Sequence, residues 1–99
     1  MLAQLAKRME REEVAAGTAL VREGEPGDRF YVVFSGMLAV ANSAMGPREV
    51  LRPGDYFGEV SLAMDIPRTA TVSAITPAVV ASCDRATFDE LLRPLFADD

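Results

Sequence analysis

Apolar residues in this chain come in short runs. Val14-Ala15-Ala16, Ala19-Leu20-Val21, residues 30–34, residues 37–41 and Glu49-Val50-Leu51 are each a few residues long, and Gly17, Gly24, Gly27 and Gly36 punctuate them. Short runs between glycine turns predict antiparallel strands packed as a sandwich or barrel. Thr71-Val72-Ser73-Ala74 alternates polar and apolar, as a half-buried strand does. Residues 78–83 predict a last strand. The ends follow another period. Leu2, Leu5, Ala6 and Met9 fall at helical spacing, which predicts a short amphipathic helix over 2–11 with Lys7, Arg8, Glu10 and Arg11 toward water. Phe88, Leu91 and Leu92 repeat at i, i+3 and i+4. They predict a helix over 85–93, capped by Asp84 and ended by Pro94. Leu95 and Phe96 carry the apolar stripe past that proline.

Two polar stretches interrupt the strands. Residues 23–28, with Glu23, Glu25 and Asp28 among Gly24, Pro26 and Gly27, predict a solvated turn. They lack the spacing of a calcium loop. Residues 42–47, containing Gly46-Pro47, predict a hairpin loop.

Length and composition narrow the function. The 99 residues suit one domain over 1–99 with one modest core. A net charge of −5 argues against general nucleic-acid binding, where affinity rests on neutralising phosphates. No histidine is present, which removes the commonest general base and metal ligand and excludes Ser-His-Asp and Cys-His nucleophile systems. The single Cys83 makes no internal disulfide and no multi-thiolate metal site; it reads as a small buried hydrophobe. No apolar stretch approaches the ~20 residues of a membrane-spanning helix. The early Lys7-Arg8 is unlike a signal peptide. These features predict a metal-free, non-enzymatic module in the cytoplasm, on its own or as the cytoplasmic part of a membrane protein.

Candidate chemistry concentrates in Gly54-Asp55-Tyr56-Phe57-Gly58-Glu59-Val60-Ser61-Leu62, followed by Pro67-Arg68-Thr69-Ala70-Thr71-Val72. Gly58 lets a ligand approach the backbone. Residues 59–64 suit one or two helical turns, whose first N–H groups lack intrahelical partners and favour an anion. Pro67 stops the helix. Arg68 presents a planar fork for two phosphate oxygens. Glu59 supplies an acceptor suited to a sugar hydroxyl. Taken singly, Glu59 also suits a helix N-terminus and Arg68 a surface ion pair. Together on one tight loop they describe a ribose phosphate better than a bare phosphate.

This stretch resembles the phosphate-binding cassette of cyclic nucleotide-binding domains. The resemblance runs from about Val14 to Phe88 and takes in Ala16-Gly17, the turn over 23–28, and Phe30-Tyr31-Val32-Val33 leading to Ser35-Gly36. It implies a mainly β fold, an eight-stranded antiparallel jelly roll with short flanking helices. It implies a regulatory module for a cyclic nucleotide, cyclic AMP in preference to cyclic GMP. The implied roles are Arg68 on the cyclic phosphate, N–H groups near Gly58 and Glu59 and around Thr69 and Ala70 completing the anion site, Glu59 on the ribose 2′-hydroxyl, and Phe57 among the ligand-binding residues. Val60 and Ser61 belong to the same cassette, and Val50 and Leu62 are expected to line the base pocket. A hydroxyl after the arginine, here Thr69, can contact guanine in the family, and Ser or Thr also occurs in bacterial cyclic-AMP sites. Family members usually continue into a third helix that covers the base. With few residues after Pro94, the chain is expected to be a fragment of a longer protein, with an effector domain such as a channel, transporter, kinase or cyclase. The rival readings are a degenerate module of the same fold used for docking, and a small β-barrel enzyme.

Overall fold

The computed structural model describes residues 7–96. Eight strands fold among them: β1 Glu10–Val14, β2 Ala19–Val21, β3 Arg29–Ser35, β4 Leu38–Asn42, β5 Gly46–Leu51, β6 Tyr56–Phe57, β7 Thr71–Ala74 and β8 Ala78–Asp84. Helix α1, Glu59–Met64, sits between β6 and β7. After β8 comes one continuous helical run: α2 Arg85–Thr87, a π-helical turn over Phe88–Leu92, and α3 Arg93–Phe96.

The strands form two antiparallel sheets. One has the order β1-β8-β3-β6, the other β2-β7-β4-β5. The expected eight-stranded antiparallel architecture is therefore what the chain forms. Alternation along each strand explains how two cores arise. On β3, Tyr31 and Val33 face the core between the sheets, with Leu38, Val72 and Val80. Phe30 points the other way. It joins Leu62 of α1, Cys83 of β8, and Phe88 and Leu92 of the C-terminal run in a second cluster. Strand β8 is buried almost throughout because it is central in its sheet and covered on both faces. Cys83 is fully buried, and burial raises its thiol pKa, so the thiol stays protonated.

Three expectations change. Of the helix expected over 2–11, residues 2–6 lie outside the described residues, and Lys7 and Arg8 are helical. Glu10 and Arg11 instead open β1, paired with Ser82 and Ala81 of β8. The free edge of β8 offers backbone partners along its length, and that pairing overrides a weak helical pattern. The hairpin expected over 42–47 is tighter, since Asn42 pairs with Gly46 across β4 and β5 and its Oδ1 accepts from the Met45 N–H at 2.7 Å. Pro94 does not end the last helix. The Arg93 N–H bonds the Phe88 carbonyl, five residues back, which widens the turn before the proline. Pro94 then occupies the first turn of α3, where a missing N–H costs little. Asp84 caps the run as expected, accepting from the Thr87 N–H at 2.9 Å.

Candidate functional site

A cavity of about 360 Å³ opens between the β2-β7-β4-β5 sheet and residues 56–61 and 68–70. Its size suits a small organic ligand. The sheet contributes a row of cross-strand neighbours: Val21 of β2 opposite Val72 of β7, Val72 opposite Val40 of β4, and Val40 opposite Glu49 of β5. All four line the cavity. The opposite wall carries Gly58, Glu59, Val60 and Ser61 from the start of α1, with Arg68, Thr69 and Ala70 beside them.

Arg68 is the chemical centre of this wall. It is 6% exposed. Its Nη2 donates to the Arg29 carbonyl at 2.9 Å and its Nη1 to the Gly58 carbonyl at 3.3 Å. Among the described residues, the ion pairs involve Arg8, Arg29, Arg85 and Arg93, and none supplies Arg68 with a carboxylate. Burial pushes the guanidinium below its ordinary value, and the Tyr31 hydroxyl and Asp28 carboxylate oppose that only in part. An arginine nonetheless keeps its proton. The wall thus holds a fixed positive charge largely removed from water.

Two glycines let it lodge there. A Cβ on Gly27 would lie 2.6 Å from Ser61 Cβ and 2.9 Å from Arg68 Nε. A Cβ on Gly58 would lie 2.7 Å from the Arg29 carbonyl and 3.0 Å from Arg68 Nη1, and the φ of 98° there is a left-handed conformation that glycine alone adopts readily. The backbone of Arg68 is pinned as well. Its N–H donates to the Glu25 carbonyl at 2.9 Å and its carbonyl accepts from the Gly24 N–H at 2.8 Å. The loop over 23–28, expected as a solvated turn, exposes most of its side chains but uses its backbone to seat the arginine.

Helix α1 starts at Gly58 with no side-chain cap, so its first N–H groups are not taken by a capping side chain. Glu59 and Glu49 line the cavity, and neither side chain carries a hydrogen bond or ion pair to another described residue. The site therefore offers one buried cation and a helix start that no side chain caps, beside two acceptors and over an apolar floor.

The family model described as "Cyclic nucleotide-binding domain" matches residues 11–94. The chain belongs to that family. Its relatives include the cAMP-dependent protein kinase regulatory subunit of Yarrowia lipolytica, 44% identical over 93 residues, which cover 93% of this chain and 25% of that protein. The regulatory domain of Toxoplasma gondii PKA, solved with cAMP, superposes with a TM-score of 0.86 at 32% identity, over 94% of this chain and 39% of that one. The regulatory subunit of a cAMP-independent protein kinase A from Trypanosoma brucei superposes with a TM-score of 0.88 at 28% identity, over 93% of this chain and 34% of that one. This chain spans only about a quarter of the length of the curated relative.

Within this family's fold the cassette residues come together around the cavity: Phe57, Gly58, Glu59, Val60, Ser61, Arg68, Thr69 and Ala70 all line it. Phe57 is also an anchor, buried and stacked on Tyr31 at 4.7 Å between ring centroids. Val50 and Leu62 do not line it. The period of two on β5 gives the cavity Glu49 and Leu51 and turns Val50 to the other face. Leu62 is fully buried in the second cluster, under the cassette. Sequence reasoning passed over the valine row and Glu49. The signal that finds them is strand register rather than residue type.

The far end of α1 has its own arginine. Arg93 donates to the Leu62 carbonyl at 2.6 Å and the Ala63 carbonyl at 2.9 Å, two of the last-turn acceptors of α1. Its Nε donates to Asp89 at 2.9 Å, and its guanidinium lies 5.9 Å from the Phe88 ring centroid. The cassette helix is thereby tied to the C-terminal helical run.

Proposed function

We propose that this chain is a regulatory module that binds a cyclic nucleotide, cyclic AMP in preference to cyclic GMP, and passes the binding event to an attached effector domain. The observation that carries the reading is Arg68, a nearly buried cation on the cavity wall, held by carbonyls and in no ion pair with a described residue. A buried charge without a counter-charge is costly, and an anion entering the cavity relieves that cost. The cyclic phosphate takes this place, with N–H groups at Gly58, Glu59, Thr69 and Ala70 around it. Glu59, whose side chain has no partner among the described residues, accepts from the ribose 2′-hydroxyl. The valine row receives the base. The module itself performs no catalysis and uses no metal; the nucleotide is its ligand. Its partner is the effector domain of a longer cytoplasmic protein, this segment touching neither nucleic acid nor membrane.

The fold alone does not select cyclic AMP, since the Trypanosoma brucei relative described as cAMP-independent shares it. Arg68 and Glu59 support a cyclic ribose phosphate, the part that cyclic AMP and cyclic GMP share. A thermal-shift screen with cyclic AMP, cyclic GMP and 5′-AMP tests it. A ligand specific for the native state raises the midpoint by mass action, by about 2.7 kcal/mol of stability at a hundred times its Kd. Cyclic AMP should raise it most. No shift with any of the three would favour the docking-module reading. Glu59 has its own test. A 2′-deoxy cyclic AMP should bind worse by roughly 1.5–3 kcal/mol, and Glu59→Gln should shrink that gap. Equal affinities for ribo and deoxy ligands on the unmodified chain would remove Glu59 from the site.

A further inference from the structure

We propose that Glu49 reads position 6 of the purine, accepting a hydrogen bond from the adenine amine and disfavouring a 6-oxo base. The inference rests on the cyclic-nucleotide reading of this cavity. It starts from the row Val21, Val72, Val40, Glu49, which runs straight across the sheet. Adjacent strands lie ~4.8 Å apart, so the three valines span about 10 Å of apolar floor. That floor suits the face of a flat heterocycle. It ends at the edge strand β5 in a carboxylate, the one charged side chain among the described residues that the sheet contributes to the cavity.

Arg68 and Glu59 stand on the other wall. With phosphate and ribose placed there, the base is what remains to lie over the valines and meet Glu49. An ionised carboxylate only accepts hydrogen bonds. At position 6, adenine offers an N–H donor and guanine a carbonyl acceptor. The same carboxylate therefore attracts one base and repels the other. Guanine has donors at N1 and on its 2-amine, so a carboxylate meeting that edge would select the opposite base. The Toxoplasma gondii relative solved with cAMP favours the adenine assignment. Glu49 is exposed, and its side chain makes no hydrogen bond or ion pair with another described side chain.

The test is calorimetric titration of the 99-residue chain and its Glu49→Ala and Glu49→Gln variants. The ligands are cyclic AMP, cyclic GMP, and the purine-riboside cyclic monophosphate that lacks only the 6-amine. The unmodified chain should bind cyclic AMP about 3- to 10-fold tighter than the des-amino ligand, the range of one solvent-accessible hydrogen bond. Glu49→Ala should bring that ratio close to one and improve cyclic GMP relative to cyclic AMP. Glu49→Gln, which keeps an acceptor and adds a donor, should fall between. Melting curves without ligand verify that the variants fold. An unchanged ratio in Glu49→Ala, or no preference in the unmodified chain, overturns the role of Glu49 while leaving nucleotide binding intact. A variant that loses cyclic GMP more than cyclic AMP overturns it too. Failure of all three ligands to bind the unmodified chain brings down the site reading itself, and this inference with it.

Discussion

Arg68 and Arg93 stand at opposite ends of the same short helix and do opposite things. Both spend guanidinium donors on backbone carbonyls. Arg68 reaches Gly58, where α1 begins, and Arg29 on β3. Arg93 reaches Leu62 and Ala63, where α1 ends. The difference lies in the counter-charge. Arg93 has Asp89 one turn away and is 36% exposed in its side chain. Its charge is balanced within the fold, and it favours the negative end of a helix. Arg68 is buried, feels Asp28 only at a distance, and forms no ion pair with a described residue. One arginine completes the protein. The other leaves a charge for something else to complete. Residue type says nothing of this distinction; the partners do.

The largest expected effect separates the two at once. Arg68→Ala should weaken cyclic AMP binding by roughly 2–5 kcal/mol, or ~30-fold to several-thousand-fold. The ligand-free chain should stay folded, because the two carbonyl hydrogen bonds that go are offset by the removal of a desolvated cation in no ion pair. Titration calorimetry and a thermal melt on the same sample measure both. A variant that binds as the parent does, or that loses its fold, would show that Arg68 is a structural arginine like Arg93.

Arg93→Ala should show the reverse pattern. Two hydrogen bonds to α1 and a half-exposed ion pair with Asp89 go, a loss of about 1–2 kcal/mol of stability. For a domain this size that lowers the melting midpoint by roughly 4–8 °C per kcal/mol. Affinity measured well below the midpoint should move far less than in Arg68→Ala. Urea unfolding and calorimetry together decide it. An affinity loss as large as that of Arg68→Ala would mean that the clamp on the C-terminal end of α1 is part of the binding site.

The smallest effect sharpens the structural side alone. Asp84 caps the run that carries Arg93. Its carboxyl is held below the usual range, first by the Thr87 N–H and then by the Thr87 hydroxyl. A carboxyl depressed in the folded state stabilises fully above its unfolded value, and the contribution disappears as pH falls through the lower, folded value. Asp84→Asn keeps a good cap and does not titrate. Its stability should therefore fall less steeply than the parent's across that acid window. Denaturant unfolding at a series of acid pH values would show it, and parallel curves would dissociate the cap from the acid response.

What the sequence determined by itself was local. The cassette lies within about one turn and one loop of itself, so Gly58, Glu59 and Arg68 were legible as a unit, as were helix α1 and the Asp84 cap. Strands β7 and β8 followed from short-range alternation and apolar runs. Tertiary structure decided whatever depends on partners far along the chain. Register turned Glu49 rather than Val50 into the cavity, and it aligned three valines from separate strands into a floor. The edge of β8 drew Glu10 and Arg11 out of a helical pattern. The second core took Leu62 away from the cavity. The loop over 23–28 acquired its role only when its Gly24 and Glu25 backbone met Arg68. The physical reason is range. Torsional preference, capping and turn chemistry are settled by neighbours a few residues away, whereas facing, burial and counter-charge are settled by residues that meet only once the sheets have paired.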